Sequence, residues 1–273
     1  PEVGPQAEEL MEDAKALLAH IISDGRLRAH GVFGFFPAAS RGDDVALFTD
    51  ESRTELLTTV PFLRQQFEKG KGGGNGDVRR PNLCLSDFIA PESSGVPAWL
   101  GAFAVTTGHG LDELVREFEA AHDDYNAIMA KALADRLADS FAERLHQRVR
   151  AEFWGYVPQD AGQDNLTLIR EAYRGIRPAP GYPACPDHTG KDILFELLGA
   201  TEKIGIELTE SRAMDPAASV SGWYFAHPQS AYFGIGRIGR DQVEDYAART
   251  GRDVAEVEGW LAPNLGYDGE SDL

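Results

Sequence analysis

Basic residues are scarce in this chain: 26 lysines and arginines stand against 44 aspartates and glutamates, a formal net charge of −18. A surface that negative repels phosphate backbones and anionic headgroups, which argues against nucleic-acid and membrane-surface roles. Cysteine is scarcer still. Cys84 and Cys185 are too few for a disulfide framework and favour a reducing, cytoplasmic setting. No apolar run approaches the roughly 20 residues that cross a bilayer. The acidic start, Pro1 to Glu12, has neither a signal-peptide nor a transit-peptide pattern, and proline at position 1 suggests a fragment. The histidines lack paired metal-ligand spacing, and His122-Asp123-Asp124 reads better as a helix start than as a metal site. Ser219 and Ser221 lie in no nucleophile-elbow pattern. Neither a catalytic constellation nor a metal site is expected.

What is present is globular: 42% hydrophobic and 26% charged residues, long enough for a sizeable core, without internal repeat or evident linker. Apolar spacing predicts a helix over 6–20, and the β-rich runs 31–36 and 44–48, separated by Pro37 and the Arg41-Gly42-Asp43 turn, predict a hairpin. Residues 50–68 look helical in their second half, and Gly70 to Gly76 read as a flexible surface loop. Strands are expected at 83–89 and 100–106. Leu114, Phe118, Tyr125, Met129, Leu133, Leu137, Phe141, Leu145 and Val149 mark an apolar helical stripe, with Asp123-Asp124 placed to cap a second helix. Further on, helices are expected at 166–173 and 191–198, a strand at 206–211, and a strand pair 220–225 with 231–238. Two helices close the chain, the first capped by Asp241 and ended by Gly251, the second opened by Asp253 and Glu256 as a capping box. Long helices and runs of adjacent strands without βαβ alternation predict an α+β fold, a central antiparallel sheet with long helices packed around it.

Gly234-Ile-Gly-Arg-Ile-Gly239 matches G-x-G-x-x-G but lies too near the end for a βαβ unit. The Gly70–Gly76 run lacks the Lys-Ser/Thr ending of a P-loop. The informative segment is Tyr173-Arg-Gly-Ile-Arg-Pro-Ala-Pro-Gly-Tyr-Pro-Ala-Cys-Pro186. Its prolines fix φ and remove amide donors, so neither helix nor ladder is expected, yet its Tyr, Ile and Ala content is unlike a solvated linker. A structural crossing loop is one reading. A preorganised small-molecule site is the other: rigidity lowers the ordering cost of binding, Gly181 admits a ligand to the backbone, and Arg177 offers a fork for a carboxylate.

Gly175-Ile-Arg-Pro-Ala-Pro-Gly-Tyr-Pro-Ala-Cys-Pro186 resembles the hallmark of the activation domain of cobalamin-dependent methionine synthase. So do Ala102-Phe-Ala-Val-Thr106, His122-Asp-Asp-Tyr-Asn126, Lys131-Ala-Leu-Ala-Asp-Arg136, Ala217-Ala-Ser-Val-Ser-Gly-Trp-Tyr-Phe225 and Trp260-Leu-Ala-Pro-Asn-Leu-Gly-Tyr267. The similarity runs in order from Ala29 to Tyr267. It implies a single S-adenosylmethionine-binding domain over 1–273 that docks on a cobalamin carried by another domain. With one electron from a flavodoxin-type donor, such a domain supports reductive methylation of cob(II)alamin to methylcobalamin. Carried over, Arg177 grips the methionine carboxylate, backbone at Ala179, Gly181 and Tyr182 meets the nucleoside, and Tyr232-Phe233 forms a second binding segment. Asp139, where the family usually has Glu, and Glu171 are accessory contacts to the ammonium or to partners. The family's further ligand-contacting Asp lies in a segment preceding this chain's start, so weaker binding is expected. Two alternatives stand beside this reading: a free-standing corrinoid reactivase subunit acting in trans, and a non-catalytic S-adenosylmethionine-binding or docking module. Flavodoxins are themselves acidic, so docking one would call for a local basic patch, with Lys131, Arg136, Arg144 and Arg148 as its candidates.

Overall fold

The computed structural model describes residues 4–66 and 81–269. Helix α1 (Gly4–Ser23) leads into strands β1 (Arg28–Arg41), β2 (Asp44–Phe48) and β3 (Leu56–Pro61). After β4 (Ala98–His109) come α2 (Leu111–Ala120), α3 (Asp124–Arg148) and the short α4 (Asn165–Ile169). Helices α5 (Gly190–Leu198) and α6 (Ala200–Ile204) precede a two-stranded ribbon, β5 (Glu207–Leu208) with β6 (Met214–Asp215). Strand β7 (Ser219–Tyr224), α7 (Arg240–Thr250) and α8 (Val254–Leu261) complete the order. The main sheet runs β3-β2-β1-β4-β7 and every neighbouring pair is antiparallel. The fold is α+β, as the sequence predicts.

Strand β4 is buried on both faces, and its alternation divides the core. Leu100, Ala102 and Ala104 join the cluster holding Leu194, Leu198 and Ile204 of α5 and α6. Phe103 and Val105 point the other way, to Ala142, Leu145 and Val149. Helix α3 lies on that second face through a stripe of small residues, Ala130, Ala134, Ala138 and Ala142, all buried. Their size lets helix and sheet approach closely enough for Thr107 Oγ1 to donate to the Ala134 carbonyl at 2.7 Å. The larger residues expected to form the seam are split: Met129, Leu145 and Val149 are buried, whereas Tyr125 is 52% exposed. Asp123 does cap α3, its carboxylate accepting from Asn126 N at 3.1 Å, so the long stripe is two helices.

Several expected elements differ. The helix expected in the second half of 50–68 is absent among the described residues: strand β3 runs to Pro61, because tertiary pairing along β2 overrides local propensity, and 62–66 carry no helix. Pro37 does not separate strands; it lies within β1, one residue before pairing with β2 begins, where that side has no ladder bond to lose. The expected strand at 83–89 is a 3-10 turn, Leu85–Phe88, held by Asp87 accepting from Cys84 N at 2.9 Å. Residues 231–238 form no strand; the free edge of β7 that they would need is already taken, as described below. Helix α7 begins after Gly239, with Asp241 inside its first turn, and the Asp253 side chain makes no cap bond, so the capping box is not formed. Gly251 does end α7, in the left-handed conformation at φ +68°. The Gly70–Gly76 expectation falls outside the described residues.

Candidate functional site

The proline-rich loop is, contrary to expectation, a rung of the sheet. Ile176 and Phe225 exchange two backbone bonds at 3.0 Å, and Trp223 N donates to the Pro178 carbonyl at 2.9 Å. Pairing has period 2, so this edge uses both groups of Ile176 but only the carbonyl of Pro178, whose missing amide costs nothing. Gly222 makes the approach possible: a Cβ there would stand 2.7 Å from the Pro178 oxygen. The loop then turns through Gly181, whose N–H donates to the Cys185 carbonyl at 2.8 Å, while Cys185 N returns a bond to the Tyr182 carbonyl at 3.0 Å. Asp187 anchors the far end. Buried at 5% exposure, it accepts from Thr189 N and Oγ1, from Tyr246 Oη of α7 at 2.9 Å and from Arg252 at 3.1 Å. The loop is therefore fixed at both ends, which is what a preorganised site needs.

Arg177 lies on this rung, 19% exposed. Its Nη1 donates to Tyr173 Oη at 2.7 Å, and its Nη2 forms ion pairs with Glu143 Oε2 of α3 at 2.7 Å and with Glu171 at 3.7 Å. Its own backbone N–H donates to Tyr232 Oη at 3.0 Å, which joins the loop to the second predicted segment. Burial works against the guanidinium charge, but Tyr173, Glu143 and Tyr232 outweigh it and hold the group more firmly protonated than usual. Tyr182 and Tyr232 are exposed aromatics, at 66% and 45%, and Phe233 packs edge-on against Phe88. The structure thus brings Arg177, Tyr232 and Glu171 together. Glu171 reaches Arg177 from a strained backbone, φ +49°, just after α4. Asp139 is placed differently: its carboxylate is exposed and pairs with Arg136 at 3.3 Å, and the α3 carboxylate that meets Arg177 is Glu143, one turn on.

Beneath Arg177 is a polar layer for which sequence reasoning assigned no residues. A π-helical turn, Val149–Phe153, follows α3, and its Arg150 is wholly buried. Arg150 pairs with Asp160 at 2.9 Å and lies 3.6 Å from the centroid of the Tyr173 ring. His146, also fully buried, stacks on Tyr224 with ring centroids 5.0 Å apart. Burial, then Arg150 and Arg177, push its pKa well below the ordinary 6.5, so it is neutral. Glu143 had a findable signal, being four residues from Asp139 on the same helical face. Arg150 and His146 had none.

Among the described residues there is no group of three or more His, Cys, Asp or Glu side chains that could hold a metal ion. Three of the six amides of 234–239 are engaged by distant segments: Ile235 N with Pro183 O, Ile238 N with Asn264 O, and Gly239 N with Gln66 Oε1 at 2.6 Å. Both cysteines are buried thiols; burial raises Cys84 to about 11 and raises Cys185 further. The expected basic patch is not free, since Lys131 pairs with Glu119, Arg136 with Asp139 and Arg148 with Glu152, while Arg144 bonds Gln147. No helix among the described residues is long and apolar enough to cross a membrane.

Fold and loop together define an α+β domain that carries an arginine-bearing, proline-rich loop fixed against the edge strand β7. The chain matches the family described as vitamin B12 dependent methionine synthase, activation domain, over residues 1–251, and it belongs to that family. It is also similar to the crystal structure of the MetH reactivation domain bound to AdoHcy: 53% identity, a TM-score of 0.91, covering 98% of this chain and 80% of that one.

Proposed function

We propose that residues 1–273 act as one domain that binds S-adenosylmethionine on loop 175–186 and serves the reactivation of methionine synthase. The observation that carries this is the fixed placement of Arg177 beside Tyr173 and Tyr232, on a loop annealed to β7. The similar domain solved with AdoHcy supports it. The residues fit such a ligand. Arg177 spends one N–H on Tyr173 and stands beside Glu143 as an ion pair, and a guanidinium has five N–H groups, so a carboxylate can still be gripped. Backbone at Ala179, Gly181 and Tyr182 offers the nucleoside a rigid wall, Tyr232 and Phe233 a second one, and Glu171 and Asp139 offer the ammonium a negative field.

When bound, S-adenosylmethionine supplies a sulfonium methyl group and the cobalamin of a partner domain supplies the metal that receives it, giving methylcobalamin from cob(II)alamin with one electron from a flavodoxin-type donor. The work of this chain is therefore to hold and orient, with no acid–base pair required. The exposure of Tyr182, at 66%, supports a contact of its ring with the docked partner. The setting is the reducing cytoplasm. Calorimetric titration of the chain with S-adenosylmethionine and S-adenosylhomocysteine tests the reading, and saturable one-to-one binding of both is expected. Absence of binding overturns it. Methylcobalamin formation in a mixture with a cobalamin-loaded partner domain and a one-electron reductant separates reactivation from mere sensing.

A further inference from the structure

We propose that Glu143 is the positioning residue for carboxylate recognition: with Tyr173 it braces Arg177 from behind, so that the free edge of the guanidinium is aimed at the amino-acid end of the ligand. This rests on the proposed role of Arg177.

Two hydrogen bonds and an ion pair close a triangle. Arg177 Nη2 lies 2.7 Å from Glu143 Oε2 as an ion pair, Arg177 Nη1 donates to Tyr173 Oη at 2.7 Å, and Tyr173 Oη donates to that same Glu143 oxygen at 3.2 Å. An arginine side chain has several rotatable bonds and loses much rotamer freedom when it grips a ligand; a triangle of this kind removes that freedom in advance. Glu143 is itself fixed from the inner side. Its Oε1 is shut off from solvent, has no hydrogen-bond partner, and faces Arg150 Nη1 at 3.9 Å. Arg150 is in turn wholly buried, tied to Asp160, and lies over the Tyr173 ring. The order from core to surface is thus Asp160, Arg150, Glu143 with Tyr173, then Arg177. Glu143 reaches the guanidinium from the side of Arg150, Glu171 stands 3.7 Å from Nη2 as its more exposed neighbour, and the donors not used on Tyr173 are those left for a ligand.

This arrangement has a consequence that a purely structural role would not have. A ligand bearing a carboxylate depends on the brace, and a ligand with the same nucleoside and thioether but no amino-acid portion does not. The experiment titrates the chain with S-adenosylhomocysteine and with 5′-methylthioadenosine, for the unaltered protein, Glu143→Gln, Tyr173→Phe and Arg177→Ala. Glu143→Gln is expected to weaken S-adenosylhomocysteine about ten-fold while changing methylthioadenosine less than about two-fold. Tyr173→Phe should do the same more mildly, and Glu143→Gln in the Arg177→Ala background should add nothing. Equal loss for both ligands, no loss for either, or tighter S-adenosylhomocysteine binding in Glu143→Gln would overturn the brace. The last result would mean that Glu143 competes with the ligand carboxylate. If Arg177→Ala itself leaves S-adenosylhomocysteine unaffected, the site assignment fails instead. Should Glu143→Gln not fold by circular dichroism, Tyr173→Phe, which removes one oxygen, carries the same comparison.

Discussion

Gly181 crosses the imidazole of His188 at a separation that only a hydrogen on Cα permits. A methyl group there would lie 2.3 Å from His188 Cε1 and 2.5 Å from Nδ1, and the backbone has φ +94°. The ring cannot yield easily, because Lys191 Nζ bonds its Nδ1 at 2.8 Å and is itself held by the Arg212 carbonyl at 2.9 Å. Gly181→Ala should therefore displace the turn that carries Tyr182, costing about 1–3 kcal/mol. Thermal denaturation and S-adenosylhomocysteine titration should both register the loss; unaltered affinity would show that the turn is not part of the ligand wall.

Arg177→Ala is expected to weaken S-adenosylmethionine binding by roughly 2–3 kcal/mol, about thirty- to a hundred-and-fifty-fold, through loss of a charge-assisted contact. Arg177→Lys should also be damaging, since an ammonium reproduces neither the bidentate fork nor the bond to Tyr173. Calorimetric titration checks both, and an unchanged dissociation constant in Arg177→Ala would remove the loop as the site.

Asp187 ties the loop to α7, and its removal leaves Tyr246 Oη without its acceptor and Arg252 with only Glu256 at 3.9 Å. Asp187→Ala should cost about 3–5 kcal/mol, the range for breaking a buried charged network from one side. Tyr246→Phe, losing one bond to a charged acceptor, should cost about 1.5–3 kcal/mol. Urea denaturation gives the ranking; a larger loss in Tyr246→Phe than in Asp187→Ala would contradict the anchor.

His146 sets a pH dependence. Its folded pKa lies well below 6.5, with burial the first cause and Arg150 and Arg177 adding to it. In the unfolded chain the imidazole binds a proton below about 6.5, and in the fold it does not. Stability is thus full above that pH and falls by up to about 1.4 kcal/mol per unit as pH drops below it, until the folded pKa is reached. Neither ring nitrogen has a hydrogen-bond partner, and the ring stacks on Tyr224. His146→Phe should keep the stack, flatten that slope and leave stability near neutral pH unchanged or higher. Denaturation midpoints between about pH 5 and 7.5 test it, and an unaltered slope in the variant would assign the dependence elsewhere.

Much of the fold was legible in the residues. The β1–β2 hairpin, a strand at 100–106 and the Asp123 cap of α3 follow from local β-rich composition and capping chemistry, which act over a few residues. The α+β class follows from the order of elements. Local signals erred where a distant partner decided. Residues 56–61 became a strand because β2 was there to pair with, and 231–238 did not because Ile176 and Pro178 already occupied the edge of β7. In the same way the large residues of α3 suggested a continuous seam, whereas its buried face is mostly alanine, with Leu145 joining it only near the C-terminal end.

The site divides along the same line. The stiffness of the 175–186 loop and the chemical type of Arg177 are properties of the sequence: proline fixes φ, and guanidinium binds carboxylate, wherever the chain goes. That Arg177 is already paired with Glu143, 34 residues away, was decided only by the packing of α3 beneath the loop. So were the inward turn of Arg150 and the neutral, buried His146. Each depends on burial and charge contributed by other elements, and no local pattern encodes the electrostatic environment that distant segments create when they meet.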